Sequence, residues 1–396
     1  MEINLTPGSE IEARIDRFQT ALDKQGLDGA LILLNSDMFY FTGTVQNSVL
    51  YVPVKGEPLL LVKKSLHRAQ TESPLKHIIP IKSPKEIAGI INDQFANPVK
   101  IGLTLDVLPV NLYNTYKKMF PDALFSDVSP LIKDTRAIKS PYEIALIRNS
   151  FQVIDAAFSA VPTFLREGMR EVEAAALFEA EMRKRGYSNC CKMRAFNQEL
   201  FFGNLCTGNS GAFPSFFDGP VGGMGVSPSQ PQGAGWKTIQ RNEVIYIDYT
   251  CVLQGYTADQ TRIFCIGELT PRLVKAYEDA LAIEAEIIKA MKPGIPAEEP
   301  YLLAVKLAGE LGYKDYFMGY KEDQVKFIGH GIGLELDEWP ILAKGLTTPV
   351  MPGMTFALEP KFVFPEGAIG TESSFVMTEK GPEQLSVTPN GITYLR

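Results

Sequence analysis

Val244-Ile245-Tyr246-Ile247-Asp248-Tyr249-Thr250-Cys251-Val252, followed beyond Leu253-Gln254-Gly255-Tyr256 by Thr257, Asp259, Thr261, Ile263 and Phe264, decides how the rest of this chain is read. The β-branched and aromatic residues on either side of a glycine-bearing turn are the marks of a hairpin. With the turn centred on Leu253-Gln254, Asp248 and Asp259 face each other across the ladder. Like charges directly opposite on paired strands are destabilising, so something must offset them.

A second stretch repeats the pattern. Phe356-Ala357-Leu358-Glu359 leads to a turn at Pro365-Glu366-Gly367 and returns through Gly370 and Thr371 to Glu372, which places Glu359 opposite Glu372. Solvent-facing acids on a strand are a plain explanation for one such pair; two pairs inside mostly apolar strands weigh against it. His330 joins them from Phe327-Ile328-Gly329-His330-Gly331-Ile332-Gly333-Leu334, where the glycines permit close backbone approach. The chain has only three histidines, and the other two, His67 and His77, lie far upstream.

Four carboxylates and one imidazole suit two divalent ions of the manganese, cobalt, iron or zinc kind, and exclude copper and thiolate sites. Two such ions about 3.5 to 4 Å apart hold a shared water, lower its pKa and polarise a carbonyl. The chemistry implied is hydrolysis of an amide or related C–N bond.

Outward from this region, Ser140-Pro141-Tyr142-Glu143 is an S-x-x-E capping box with proline at the first helical position. Ile144, Ile147, Phe151, Ile154, Phe158 and Val161 then form one apolar helix face. A second long helix starts at Pro271 after Thr270, with Val274, Tyr277, Leu281 and Ile288 on one side. Upstream, a helix from Ile11 to Leu22 ends near Gly26, and apolar runs at 30–34, 49–52, 59–62 and 100–103 read as buried strands, with a further helix around 110–120. The chain is therefore expected to hold an α/β domain over residues 1–133 and a second, site-bearing domain over 134–396. Between Gly203 and Gly235 nine glycines and four prolines predict a long loop, a candidate lid or dimer-contacting arm.

The bulk figures narrow the class. At 396 residues the chain exceeds the roughly 100 to 200 residues of one ordinary domain. Thirty-nine basic against 46 acidic residues give a net charge of −7 with no basic block, which argues against a nucleic-acid partner. The N-terminus has neither a basic start nor an apolar stretch, and no run is expected to reach the roughly 20 apolar residues of a membrane helix. No membrane partner and a cytoplasmic location are the expectations. Five cysteines (Cys190, Cys191, Cys206, Cys251, Cys265) without CxxC spacing read as buried thiols, not as disulfides or a zinc site.

These residues resemble the peptidase family of aminopeptidase P, prolidase, methionine aminopeptidase and creatinase. The likeness runs through Ile138-Lys139-Ser140-Pro141-Tyr142-Glu143-Ile144, Asp248, Asp259-Gln260-Thr261-Arg262, Gly329-His330-Gly331-Ile332-Gly333-Leu334, Pro352-Gly353-Met354, Glu359-Pro360 and Glu372 before Val376-Met377-Thr378-Glu379-Lys380-Gly381. It implies an α/β N-terminal creatinase-like domain followed by an α+β pita-bread catalytic domain, manganese as the first-choice metal, and a homodimer. By resemblance, Asp259 and Glu372 would bridge two ions, Asp248 would bind one alone and His330 the other. Glu359 would be both a ligand and the catalytic base. Thr261 and Arg262 read as supports of the hairpin.

Two departures shape the functional expectation. The second histidine of the peptidase members, seven residues after the ligand histidine, is here Asp337, and the glycine-rich loop has none of the family's further histidine. An ionised Asp337 would repel an oxyanion but could hold a substrate ammonium or guanidinium, whereas an Asp337 protonated by the neighbouring acids could donate a hydrogen bond. The leading expectation is an Xaa-Pro aminopeptidase- or dipeptidase-like hydrolase of a small peptide or peptide-like amide. The alternatives are a hydrolase of a non-peptide C–N bond in a small cationic metabolite and a non-catalytic pita-bread binding protein.

Overall fold

The computed structural model describes residues 4–188, 191–198 and 202–396. It divides into two units, one of residues 1–136 with 194–197, the other of 137–193 with 198–396.

In the first unit the strands are β1 (Gly29–Ile32), β2 (Ser48–Pro53), β3 (Leu59–Val62), β4 (His77–Pro80), β5 (Lys100–Leu103) and β6 (Leu124–Asp127). They form one sheet in the order β4-β3-β2-β1-β5-β6. The β1–β2 and β2–β3 pairs are antiparallel and the rest parallel. The apolar runs at β1 and β3 are continuous and not alternating because both sheet faces are covered: every residue of either strand is buried. Helix Gly8–Lys24 buries Ile11, Ile15, Phe18 and Leu22, and the chain turns at Gly26 with φ +65°. Asp37, wholly buried, receives Arg136 Nη1 at 2.7 Å and Arg194 Nη1 at 2.9 Å, which ties the 194–197 segment into this unit.

The second unit continues with β7 (Gly203–Thr207), β8 (Ile245–Leu253), β9 (Tyr256–Ile266), β10 (Ile295–Pro296), β11 (Phe327–Ile332), β12 (Leu336–Ala343), β13 (Pro349–Val350), β14 (Thr355–Leu358), β15 (Lys361–Phe364), β16 (Gly367–Gly370), β17 (Ser373–Thr378), β18 (Gly381–Gln384) and β19 (Thr393–Leu395). One sheet runs β19-β9-β8-β7 and another β12-β11-β14-β17-β18, with β15–β16 and β10–β13 as short ribbons. Helix Pro141–Phe164 closes its capping box as expected: Glu143 N–H donates to Ser140 Oγ at 3.2 Å and Ser140 N–H to Glu143 Oε2 at 3.0 Å. It packs on the first sheet, Phe158 stacking on Phe264 and meeting Phe178 of helix Glu171–Arg183, which in turn meets Tyr249. Burying each such ring contributes roughly 1.5–3 kcal/mol. On the other side helix Pro271–Ala290 packs with Tyr246, Ile263, Phe356, Phe362 and Phe375 into one core.

Three expectations change. The buried stripe of helix Pro271–Ala290 is Leu273, Ala276, Tyr277, Ala280, Ile283 and Ile287, while Val274, Leu281 and Ile288 are only half-buried at its margin. The small alanines that admit close packing carry little hydropathic signal. The glycine-rich segment opens as strand β7, antiparallel to β8, before its loop begins. Finally, helix Pro141–Phe164 does meet the length and composition of a membrane span. Its buried face against the sheet, with Asp155 accepting from Thr388 N–H, explains that apolarity as packing. Of the cysteines, Cys206, Cys251 and Cys265 are buried and Cys191 is half-buried; Cys190 lies outside the described residues.

Candidate metal centre

Five elements deliver the site. The observed β8–β9 register pairs Asp248 with Thr261 and Thr250 with Asp259, because the tight turn joins Leu253 to Tyr256. Asp248 and Asp259 are thus diagonal neighbours on one face, not directly opposite, which corrects the expected register by two residues. Gln254 at φ +53° and Gly255 at φ +88° form the two central turn positions, a conformation that a type I′ hairpin requires. The second pair lies as expected. The registers Leu358↔Ser373 and Lys361↔Gly370 run without a shift through the gap between the two ladders and set Glu359 opposite Glu372.

His330 sits on β11 between glycines. A side chain at Gly331 would strike the Glu338 carbonyl oxygen of β12 at 2.3 Å. Near His330 that ladder carries a bulge: Gly331 pairs with Glu338 and Ile332 with Leu336, so Asp337 is the extra residue, with φ +61°. A bulge re-aims its side chain, and aspartate tolerates the left-handed region better than most residues. Asp337 Oδ1 consequently lies 3.4 Å from His330 Nδ1, at the rim, with 40% of its side chain exposed.

The other imidazole nitrogen faces the acids. His330 Nε2 is 3.6 Å from Asp259 Oδ2, 3.7 Å from Glu359 Oε1 and 3.8 Å from Glu372 Oε1. One ligand atom each from Asp259, His330 and Glu372 fall within 4.8 Å of one another. Ligands about 2.0–2.2 Å from a tetrahedral ion stand roughly 3.3–3.6 Å apart, so this group fits one divalent ion with little movement. Burial, then the charges of Glu372 and Asp248, raises the Asp259 carboxyl well above its usual range. Burial likewise raises Glu359 and pushes Glu372 up to about 7, against the pull of Lys361. Burial alone would lower the His330 pKa, but Asp337, Glu359 and Glu372 outweigh it and the net shift is upward. Such carboxylates crowd together in the charged form only around a cation.

A cation is already present beside them. Lys361 Nζ donates to Glu359 Oε2 at 2.6 Å, Glu372 Oε2 at 2.9 Å and Asp248 Oδ2 at 3.0 Å, with only 2% of its side chain exposed. Burial would lower its pKa, and the three carboxylates reverse that strongly. Tyr246 Oη also donates to Asp248 Oδ2, at 2.7 Å. The five predicted residues therefore do converge, and the Lys361 ammonium joins them on Oε2 of Glu359 and of Glu372 and on Oδ2 of Asp248. Lys361 was missed by sequence reading. The period of two along a strand carried the signal, since the residue two after Glu359 returns to the same face.

The cleft above these groups is lined by Asn204, Thr250 and Leu336 and, from the glycine-rich segment, by Phe217, Asp218, Pro220, Val221 and Gln232. That segment is pinned by Glu171, which accepts from Thr207 N–H at 2.7 Å, Ser210 Oγ at 3.0 Å and Gly235 N–H at 2.8 Å. Arg262 points away from the cleft and donates to the carbonyls of Thr261, Glu372 and Thr388, holding β9 against the segment that carries Glu372.

Two facing sheets with helices outside, and a histidine among buried acids between them, define a pita-bread metallohydrolase. The profile of the Metallopeptidase family M24 matches residues 145–379, more than half of the chain, and the chain belongs to that family. The Creatinase/Prolidase N-terminal domain matches residues 14–138. A Xaa-Pro dipeptidase of Pyrococcus furiosus is 27% identical over 381 residues, spanning 96% of this chain and 99% of its own. Among solved structures, the Xaa-Pro dipeptidase from Bacillus anthracis matches with a TM-score of 0.83 at 26% identity, over 97% of this chain and 100% of its own. The prolidase from Pyrococcus horikoshii OT3 matches at 0.80 and 25%, over 96% and 99%. The enzyme is a metallohydrolase of prolidase-like and creatinase-like architecture, from a family that uses divalent metals.

Proposed function

We propose that this enzyme hydrolyses an amide bond in a small peptide or peptide-like substrate, with Xaa-Pro peptides the first class to try. The observation that carries the reading is the convergence of Asp259, His330 and Glu372 beside the Glu359 carboxylate at the floor of a cleft. Asp259, His330 and Glu372 would hold one divalent ion, manganese before cobalt, zinc or iron. An ion there acidifies a water and polarises the scissile carbonyl. Glu359 is suited to take the proton from the attacking water and return it to the leaving nitrogen. Lys361 holds its Oε2, which leaves Oε1 directed toward His330. Asp337, beside Nδ1, orients the imidazole so that Nε2 faces the acids, as carboxylates do for metal-binding histidines.

A second reading has its own observation. Asp218 and Asp337 add negative charge to the cleft wall, and no arginine is among the described residues that line it. A substrate cation is accommodated there better than the free carboxylate of a dipeptide, which favours longer Xaa-Pro peptides or a cationic metabolite with a non-peptide C–N bond. Release of amine should be measured with manganese on Xaa-Pro dipeptides, longer Xaa-Pro peptides and amidine or guanidine compounds. Turnover of the longer peptides supports the peptidase reading, and bound metal without turnover on any peptide counts against it. Turnover confined to the cationic compounds, and lost in Asp337→Asn, would favour the second. A homodimer and a cytoplasmic location complete the proposal, supported by the resemblance and the composition; light scattering and cell fractionation test them.

A further inference from the structure

Glu359 and Glu372 each divide their two oxygens between two cation positions: Oε1 of each faces His330 Nε2, and Oε2 of each faces Lys361 Nζ. The first position is bounded by side chains that can ligate an ion. The second is already filled, because an ammonium has three donors and all three are placed, on Asp248, Glu359 and Glu372.

The fold builds Lys361 in. As the first residue of β15, two after Glu359, it is directed by strand parity to the face that bears the acids. Gly370 lies opposite in the ladder, and a Cβ there would stand 2.6 Å from Lys361 Cα and 3.0 Å from its Cγ, so a larger residue would crowd the lysine stem. The ring of Tyr246, 5.7 Å from Nζ, faces the charge. With only 1% of the residue exposed, the ammonium is held inside the centre.

We infer that this enzyme's centre takes one divalent ion, at Asp259, His330 and Glu372, and that the Lys361 ammonium stands permanently where a second ion would bind. The charges agree: one divalent ion and one ammonium bring three positive charges to four carboxylates, whereas a second ion would have to lodge against the ammonium. The inference rests on the reading of the first position as a metal site, and sets aside the two-ion centre expected from the sequence.

Metal content tests it without reference to turnover. The full chain, stripped with chelator, reloaded with manganese and dialysed, should retain one ion per chain by plasma mass spectrometry. Its electron paramagnetic resonance spectrum should show the six-line pattern of an isolated Mn²⁺ ion. Two retained ions, an exchange-coupled spectrum or no retained ion would each overturn the inference. Lys361→Gly should raise the content from one ion to two, and a content that stays at one would remove the lysine's assigned role. Should that variant fail to fold, the wild-type stoichiometry and spectrum decide alone. One bound ion without peptidase turnover would sink the substrate reading and leave this one standing; turnover with two bound ions would do the reverse.

Discussion

The two acid-bearing hairpins of the catalytic unit solve the same electrostatic problem differently. The β14–β17 arm sets Glu359 and Glu372 face to face and carries its own counter-charge, Lys361, on the same strand run. The β8–β9 hairpin staggers Asp248 and Asp259 by two residues; Asp248 borrows the lysine from the other arm, while Asp259 Oδ2 lies 3.6 Å from His330 Nε2. One arm carries a counter-charge of its own and the other does not. The contrast assigns stability to the lysine side of the centre and metal affinity to the histidine side.

The largest effect should come from removing the lysine of the first arm. Lys361→Met leaves the buried Glu359 and Glu372 and the half-buried Asp248 without their cation, and removing one partner of a buried ion pair costs about 3–5 kcal/mol. Urea unfolding of the metal-free protein should show this, and unchanged stability would mean that the carboxylates do not depend on the lysine.

A buried acid outside the centre sharpens the point. Glu284, on helix Pro271–Ala290, takes a hydrogen bond from Asn390 Nδ2 at 3.0 Å. Burial pushes its carboxyl from 4.5 up to about 7 despite the pull of Arg262. The folded chain therefore keeps a proton that the unfolded chain releases, so stability falls as pH rises from about 4.5 to about 7. Glu284→Gln should remove that loss, adding up to about 3 kcal/mol at pH 8 and little at pH 4.5. Equal gains at both pH values would show that the carboxyl does not titrate in this window.

On the outward-looking arm the expectation reverses. Asp259→Asn removes a carboxyl that burial already disfavours in its charged form. Metal-free stability should hardly change, while manganese affinity falls on the order of 100-fold, about 2.7 kcal/mol by calorimetry. The smallest effect lies behind the β8–β9 turn, where Glu143 accepts from Tyr256 Oη at 3.0 Å. Ser140→Ala opens the capping box that fixes Glu143 and should cost about 1 kcal/mol in thermal unfolding, with metal content unchanged.

Much of this was legible from residue order. Strand runs such as Leu59–Val62 and the S-x-x-E start at Ser140 are local signals, and the structure keeps them. The Glu359–Glu372 register was readable because Pro365-Glu366-Gly367 marks its turn plainly. The Asp248–Asp259 register was misread because Leu253-Gln254-Gly255-Tyr256 allows two centres, and the ladder chose the one with Gly255 inside the turn. Neither the bulge that aims Asp337 at His330 nor the fill of the glycine-rich segment around Glu171 could be read in advance. Both depend on contacts between residues distant along the chain. Lys361 was legible in principle, since the period of two along a strand returns it to the face of Glu359.

The position of Lys361 also makes it a marker. Because strand parity alone brings the second residue after Glu359 into the centre, the written triplet Glu359-Pro360-Lys361 would, on the one-ion inference, carry the ion count in three letters. Any relative with lysine at that place should resist a second equivalent of metal, and any with a small or neutral residue should accept it. A collection of such chains can thus be sorted by text before a single metal analysis is run.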